Sequence, residues 1–195
     1  MRKFIFLVGL LVTSTGANAE RASLLESTYE PYTEIRDGRV EICGVKFQAI
    51  GRDTETGLFS IEGNFSWVHF QGDELKYMMK VYQIAKPSGG SDFQPVPISD
   101  VIIRSGGIDT LSAAQFSPTD FPESRVFSWD FLDAGVVASK FAVGLLHSAS
   151  ISWVRSDTNQ DLSLQLDPLS KYPEINTNFA QCMRAITYPV LQALE

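Results

Sequence analysis

Between residues 39 and 84 the chain alternates apolar and polar positions with the two-residue period of half-buried β-strands. In Arg39–Ile50, Cys43, Val45, Phe47 and Ala49 fall on one side, with Glu41, Lys46 and Gln48 interleaved. In Leu58–Phe70 the stripe is Phe59, Ile61, Phe65 and Trp67, and Gly63 reads as a bulge within it. In Leu75–Ile84, Leu75, Tyr77, Met79 and Val81 point inward against Lys76 and Lys80 outward. The polar stretches 52–57 and 71–74 turn the chain, so three strands form an antiparallel meander with one buried face.

The flanking segments extend this pattern. Asp37-Gly38 is a hairpin signal joining Tyr32–Arg36 to the first of these strands. Glu20–Tyr29 reads as a short helix, with Ala22, Leu25 and Tyr29 near one face and Pro31 ending it. Ala85–Pro97 and Ser105–Ser124 read as loops, with a short apolar strand or turn, Ile98–Arg104, between them. Arg125–Leu132 alternates through Phe127, Trp129 and Phe131. Gly135–Leu146 mixes helical spacing (Val137, Phe141, Leu145) with β-branched residues; the expectation is helix, with strand as the alternative. Ser148–Arg155 and Asp161–Asp167 flank a turn at 156–160 and form a hairpin, with Ile151, Trp153, Leu162, Leu164 and Leu166 inward. At the end, Phe179, Cys182, Met183 and Ile186 recur at helical spacing, which predicts a helix capped by Asn176 or Thr177 and limited by Pro189. The expected fold class is mainly β (α+β): an antiparallel β-sandwich or curled sheet with a C-terminal helix disulfide-bonded to an early strand.

The first residues follow a different logic. Arg2 and Lys3 precede the apolar run Phe4–Val12, and a short polar stretch ends in Ala17-Asn18-Ala19. That is the pattern of a cleavable secretory signal peptide over residues 1–19, with the mature start at Glu20. A membrane span needs about 20 apolar residues, and this run is less than half of that. Residues 20–195 are then expected as a single β-rich globular domain without a membrane span, periplasmic or secreted. The short, Lys/Arg-started leader looks bacterial, which favours the periplasm.

Charge and cysteines narrow the picture. The leader carries two of the 16 basic residues, so 14 remain against 23 acidic ones, a mature balance of −9. That sign argues against nucleic acid and against anionic lipid headgroups, both of which require basic patches. Cys43 and Cys182 are the two cysteines, and an even pair in an oxidising compartment forms a disulfide. The closed loop of about 140 residues is worth roughly 5 kcal/mol in the chain-entropy model.

Catalytic signals are sparse. His69 and His147 are the two histidines; neither lies in a nucleophile motif, and G-x-S-x-G and S-x-x-K are absent. Both read as structural, His69 because it continues the Phe65, Trp67 stripe. Asp157, Asn159 and Asp161 resemble a calcium loop, but the sixth and twelfth positions are Leu162 and Pro168 rather than Gly and Glu. The sequon Asn64-Phe65-Ser66 lies inside a predicted strand and is read as a chance match. No catalytic, metal-binding or cofactor-binding residue is assigned, and no cofactor is expected. Tyr82 shares the outward parity of Lys76 and Lys80; with Phe93 and Phe116 of the two long loops it makes the expected contact surface.

The expected function is that of an exported, non-enzymatic binding or accessory protein acting on a protein or an envelope polymer. The alternatives are a small secreted hydrolase using paired carboxylates and a loop-presenting enzyme inhibitor. A deep acidic cleft with two close carboxyls would favour the hydrolase, and a shallow surface with an apolar patch would favour binding. Intact-mass spectrometry of the exported protein should give a chain beginning at Glu20. Reduction should make it heavier by two hydrogen atoms, and without reduction an alkylating reagent should add nothing.

Overall fold

The computed structural model describes residues 20–53, 57–69, 74–86, 90–109, 115–117, 123–130, 140 and 143–192. The signal peptide expected over residues 1–19 lies outside the described residues.

The Asp37-Gly38 signal makes the turn it announces. Both residues take the left-handed φ values, 52° and 79°, that a two-residue hairpin with the native twist requires. It joins β2 (Ser23–Arg36) to β3 (Arg39–Asp53), paired from Arg36↔Arg39 back to Ser23↔Arg52. The meander continues through β4 (Gly57–His69) and β5 (Leu75–Ala85). Beyond β5 come β10 (Arg125–Asp130) and β9 (Gln115–Ser117), and β6 (Gln94–Val96) pairs with the last residues of β5. These seven strands form the larger sheet.

The smaller sheet has the order β1 (Glu20–Arg21), β12 (Asp161–Leu166), β11 (Ala149–Arg155), β7 (Ile98–Ser105) and β8 (Ile108–Asp109). It is antiparallel except that β1 runs parallel to β12. Its inward residues, among them Ile103, Ile151, Trp153, Leu162 and Leu164, belong to one buried cluster with Phe59, Ile61, Trp67 and Met79 of the larger sheet. The Trp153 ring meets Phe59 edge-on at 5.4 Å, and its Nε1 donates to Gln83 Oε1 at 3.0 Å. The fold is therefore mainly β, two facing sheets with a C-terminal helix (Pro173–Gln192) bonded by Cys182 to Cys43 on β3, Cα to Cα 5.6 Å. No helix among the described residues is long and apolar enough to cross a membrane.

Several local expectations are corrected. Glu20–Tyr29 is not a helix but β1 and the first half of β2. Ten residues of isolated helix are marginal in water, whereas pairing with β3 along the whole hairpin, plus a hydrogen bond from Ala22 N to Ser163 O, recruits the segment into both sheets. Pro31 ends nothing: it sits opposite Val45 on the outermost strand of the larger sheet, where a missing N–H is tolerated. Gly63 is not a bulge, because the β3–β4 and β4–β5 registers run through it without a shift. The ring of Phe47 lies over it instead; a Cβ there would fall 2.7 Å from Phe47 Cε1 and against the Lys80 carbonyl oxygen.

The helix boundaries also move. Asn176 and Thr177 are not caps; the helix starts at Pro173, and Asn176 N donates to Tyr172 O. Proline suits the first helical position because its missing N–H would be unpaired there anyway. Pro189 does not end the helix, which continues through it to Gln192. The two long loops contain strand, namely β6 in the first and β8 and β9 in the second. Within Gly135–Leu146, Lys140 and residues 143–145 are helical and the other residues from 135 to 142 lie outside the described set. The alternation of β12 places Leu162, Leu164 and Leu166 in the core as expected.

Because the obstructing oxygen at Gly63 belongs to the backbone, Gly63→Ala should destabilise the fold by about 1–3 kcal/mol, the usual cost of overpacking. Urea unfolding should record it as a lower midpoint with an unchanged slope.

Candidate functional site

Alternation commits the odd-numbered side chains of β3, β4 and β5 to the core, so the even-numbered ones share the opposite face. The register aligns them in rows across the strands. One row runs Thr28, Gln48, Glu62, Tyr82; the next runs Glu30, Lys46, Asn64, Lys80, Val126; a third runs Tyr32, Gly44, Ser66, Met78. The first two rows line a groove of about 350 Å³. The second and third line an adjoining apolar hollow of about 300 Å³ with Ile42 and Val68.

At the centre of the first row, three neighbours hold the Glu62 carboxylate. Tyr82 donates its hydroxyl to Oε2 at 2.5 Å. Gln48 Nε2 donates to Oε1 at 2.8 Å, and Ser60 Oγ donates to the same oxygen at 3.2 Å. Donors from β3 and β5 thus fix a carboxylate on β4 in a single orientation. Tyr82 is pushed up to about 12, first by burial, then by its hydrogen bond to Glu62 and by that group's charge. In the second row, Lys46 Nζ stands 4.5 Å over the Tyr32 ring, an electrostatic contact with the ring face.

A second polar cluster serves the fold. Ser27 donates to Asp167 Oδ2 at 3.0 Å, Tyr29 donates to the Asp167 carbonyl at 2.6 Å, and Tyr172 donates to the Ser27 carbonyl at 2.7 Å. Lys171 pairs with the Asp167 carboxylate, and that hydrogen bond is the chief reason the carboxyl sits below its usual range. The cluster ties β2 to the end of β12 and to the start of the helix. A hollow of about 700 Å³ beside it is lined by Ser23, His147 and Asp167 among others. His147 is exposed there, whereas His69 is buried against Arg39 at 3.1 Å. Asp157 accepts two bonds from Arg155, at 3.0 and 2.6 Å, and Asn159 has φ 59°, so that acidic stretch is a turn. Among the described residues no group of three or more His, Cys, Asp or Glu could hold a metal ion.

Of the three residues expected at a contact surface, Tyr82 lies in the groove. Phe93 is 42 % exposed just ahead of β6, and it does not line the groove. Phe116 sits on β9 opposite Phe127, and its side chain lies outside the described residues. Missed by the sequence were Glu62, Gln48, Lys46 and Asn64, the partners that the register places beside Tyr82. Counting residues outward from the Asp37-Gly38 turn pairs only Arg36 with Arg39 and Ile35 with Val40; a one-residue shift between Glu34 and Ile35, which the alternation does not announce, then sets Thr28 opposite Gln48, and no two-residue turn signal fixes the β3–β4 register. Comparison with protein-family models, curated proteins and solved structures finds no match for this chain.

Since the Tyr82 value in the folded chain exceeds the ordinary 10, its contribution to stability is intact below pH 10 and is lost as the pH rises through about 12. The tyrosinate absorbance of the native chain minus that of Tyr82→Phe should show this late ionisation. Glu62→Gln should lower the midpoint without returning it to 10, because burial, the largest cause, remains.

Proposed function

We propose that this chain is an exported, non-enzymatic binding or accessory protein of the bacterial periplasm. It engages a protein or an envelope polymer through the groove-bearing face of its larger sheet. The leader-like start and the disulfide, which spans 139 residues of sequence, support an oxidising compartment. The observation that carries the binding role is the groove itself. Glu62 is held there by three donors beside the row of Lys46 and Lys80, so its polar groups are oriented before any partner arrives. The adjoining apolar hollow adds the patch expected of a contact surface.

A hydrolase fits this face less well. The groove's two carboxylates, Glu30 and Glu62, stand on β2 and β4 with β3 between them and are one row out of register. That places their backbones roughly 12 Å apart, from the spacing of strands and of alternate residues. Glycosidases need a carboxyl free to act beside a second one, whereas the Glu62 carboxylate is already held by Gln48, Ser60 and Tyr82.

Affinity capture from envelope extract, with the mature protein as bait and mass spectrometry as readout, tests the role. The native protein should retain one enriched partner, and Tyr82→Ala combined with Lys46→Glu should lose it while still unfolding in a single cooperative transition. Equal retention by that variant would remove this face from the function.

A further inference from the structure

We infer that the outer face of β2 to β5 is covered by a second copy of this chain, the two copies related by a two-fold axis along the seam between β3 and β4. This rests on the reading of that face as a contact surface and names its partner.

The smaller sheet and the helix both lie on the inner side of the larger sheet, so among the described residues no element covers the outer side. A fourth row there, Glu34, Ile42, Val68, Lys76, continues the three above. Ile42, Val68 and Met78 give this side half-buried apolar surface, and contiguous apolar surface marks an interface. The four rows hold three acids, Glu30, Glu34 and Glu62, and three bases, Lys46, Lys76 and Lys80. On a chain of formal charge −7 this face is neutral, so two copies repel each other least across it.

The charges are also arranged to fit themselves. β2 carries Glu30 and Glu34, and β5 carries Lys80 and Lys76 in the same two rows. Within one copy these strands are three spacings apart, about 14 Å, too far for the acids and bases to meet. Both strands lie about 7 Å from the β3–β4 seam, so an axis along that seam exchanges β2 with β5 and β3 with β4. It sets Glu30 opposite Lys80 of the second copy and Glu34 opposite its Lys76, each pair twice. In the other positions Lys46 meets Asn64, Gln48 meets Glu62 and Ile42 meets Val68, so no like charges face each other. An axis on β3 would set Lys46 against itself, and one on β4 would set Glu62 against itself and Lys46 against Lys80. The contact of Lys76 with Glu74 at 3.5 Å is a weak surface pair, and an ammonium has three donors.

Shape follows the same axis. Tyr32 spans Gly44 to line the apolar hollow with Ser66 and Met78. The axis lays that ring over Ser66 and Met78 of the second copy, in the corresponding hollow. Gly44 has no room for a side chain, since a Cβ would fall 2.2 Å from the Phe65 carbonyl oxygen. Four strands and four rows make roughly 500 Å² of plane on each copy. The two copies together therefore bury about 1,000 Å² before side-chain relief is counted, the size a specific interface needs.

Sedimentation equilibrium of the oxidised chain starting at Glu20, over roughly 1–100 µM, should reach the mass of a dimer. Glu30→Lys and Lys80→Glu, each alone, set two like-charged pairs across the axis and should weaken dimerisation at least about tenfold. Mixed one to one, the two variants regain opposite charges at both pairs, and the dimer mass should return. Glu34→Lys and Lys76→Glu repeat the test should either first variant fail to unfold cooperatively. A monomer over the whole range, single variants as dimeric as the native chain, or a mixture that stays monomeric overturns the inference. If the chain is monomeric while envelope capture still retains another protein that the Tyr82 and Lys46 variant loses, the second copy is discarded and the binding role stands. If nothing is retained either, both fall.

Discussion

The inner face of β3, β4 and β5 has to be covered along its whole length, and among the described residues no element outside the larger sheet is long enough to do it alone. β3 and β4 have 15 and 13 residues, about 43–50 Å of strand. β11 and β12 have 7 and 6 residues, about 20–23 Å, and they cover the end around Phe59 and Gln83. The C-terminal helix covers the end around Cys43 and Val45, seating Phe179 and Ile186. With 20 residues it is about 30 Å long. One strongly apolar sheet face thus dictates both the sandwich and the docked helix.

The helix is the weaker cover. Burial of Phe179 and Ile186 is worth about 3–6 kcal/mol together, and in proteins a helix draws most of its stability from such packing rather than from its own propensity. The Cys43–Cys182 bond contributes about 5 kcal/mol through the unfolded chain, as much as the packing it secures. The tyrosine and aspartate cluster at Ser27, Tyr29, Asp167 and Tyr172 pins the other end of the helix. Buried apolar contact, covalent link and polar cluster each hold a different part of the same element.

The opposite face inherits its chemistry from the same alternation. Because the odd positions are spent on the core, the even positions of four neighbouring strands can only form rows, and the rows bring Glu62, Gln48 and Tyr82 together from three strands. At the outermost strand, Pro31 and the exposed Glu26, Glu30 and Glu34 discourage another chain from pairing with β2.

Much of this was legible in one dimension. The period-two pattern placed Phe59, Ile61, Phe65 and Trp67 in the core and Lys76, Lys80 and Tyr82 opposite them, since which face a side chain takes depends on parity alone. Asp37-Gly38 announced its turn, because few residue pairs tolerate two left-handed φ values. The two cysteines announced their bond, having no other partner in the chain. Residues 20–29, by contrast, became strand only because β3 and β12 were there to pair with them, and Gln83 entered the core because Trp153 waited across the sandwich for an acceptor. The Glu62 cluster likewise depends on the β3–β4 and β4–β5 registers. Sequence by itself determined what repeats locally, the faces and the turn; the tertiary structure decided partnership, since a contact between distant segments is set by the packing of both and is encoded in neither one.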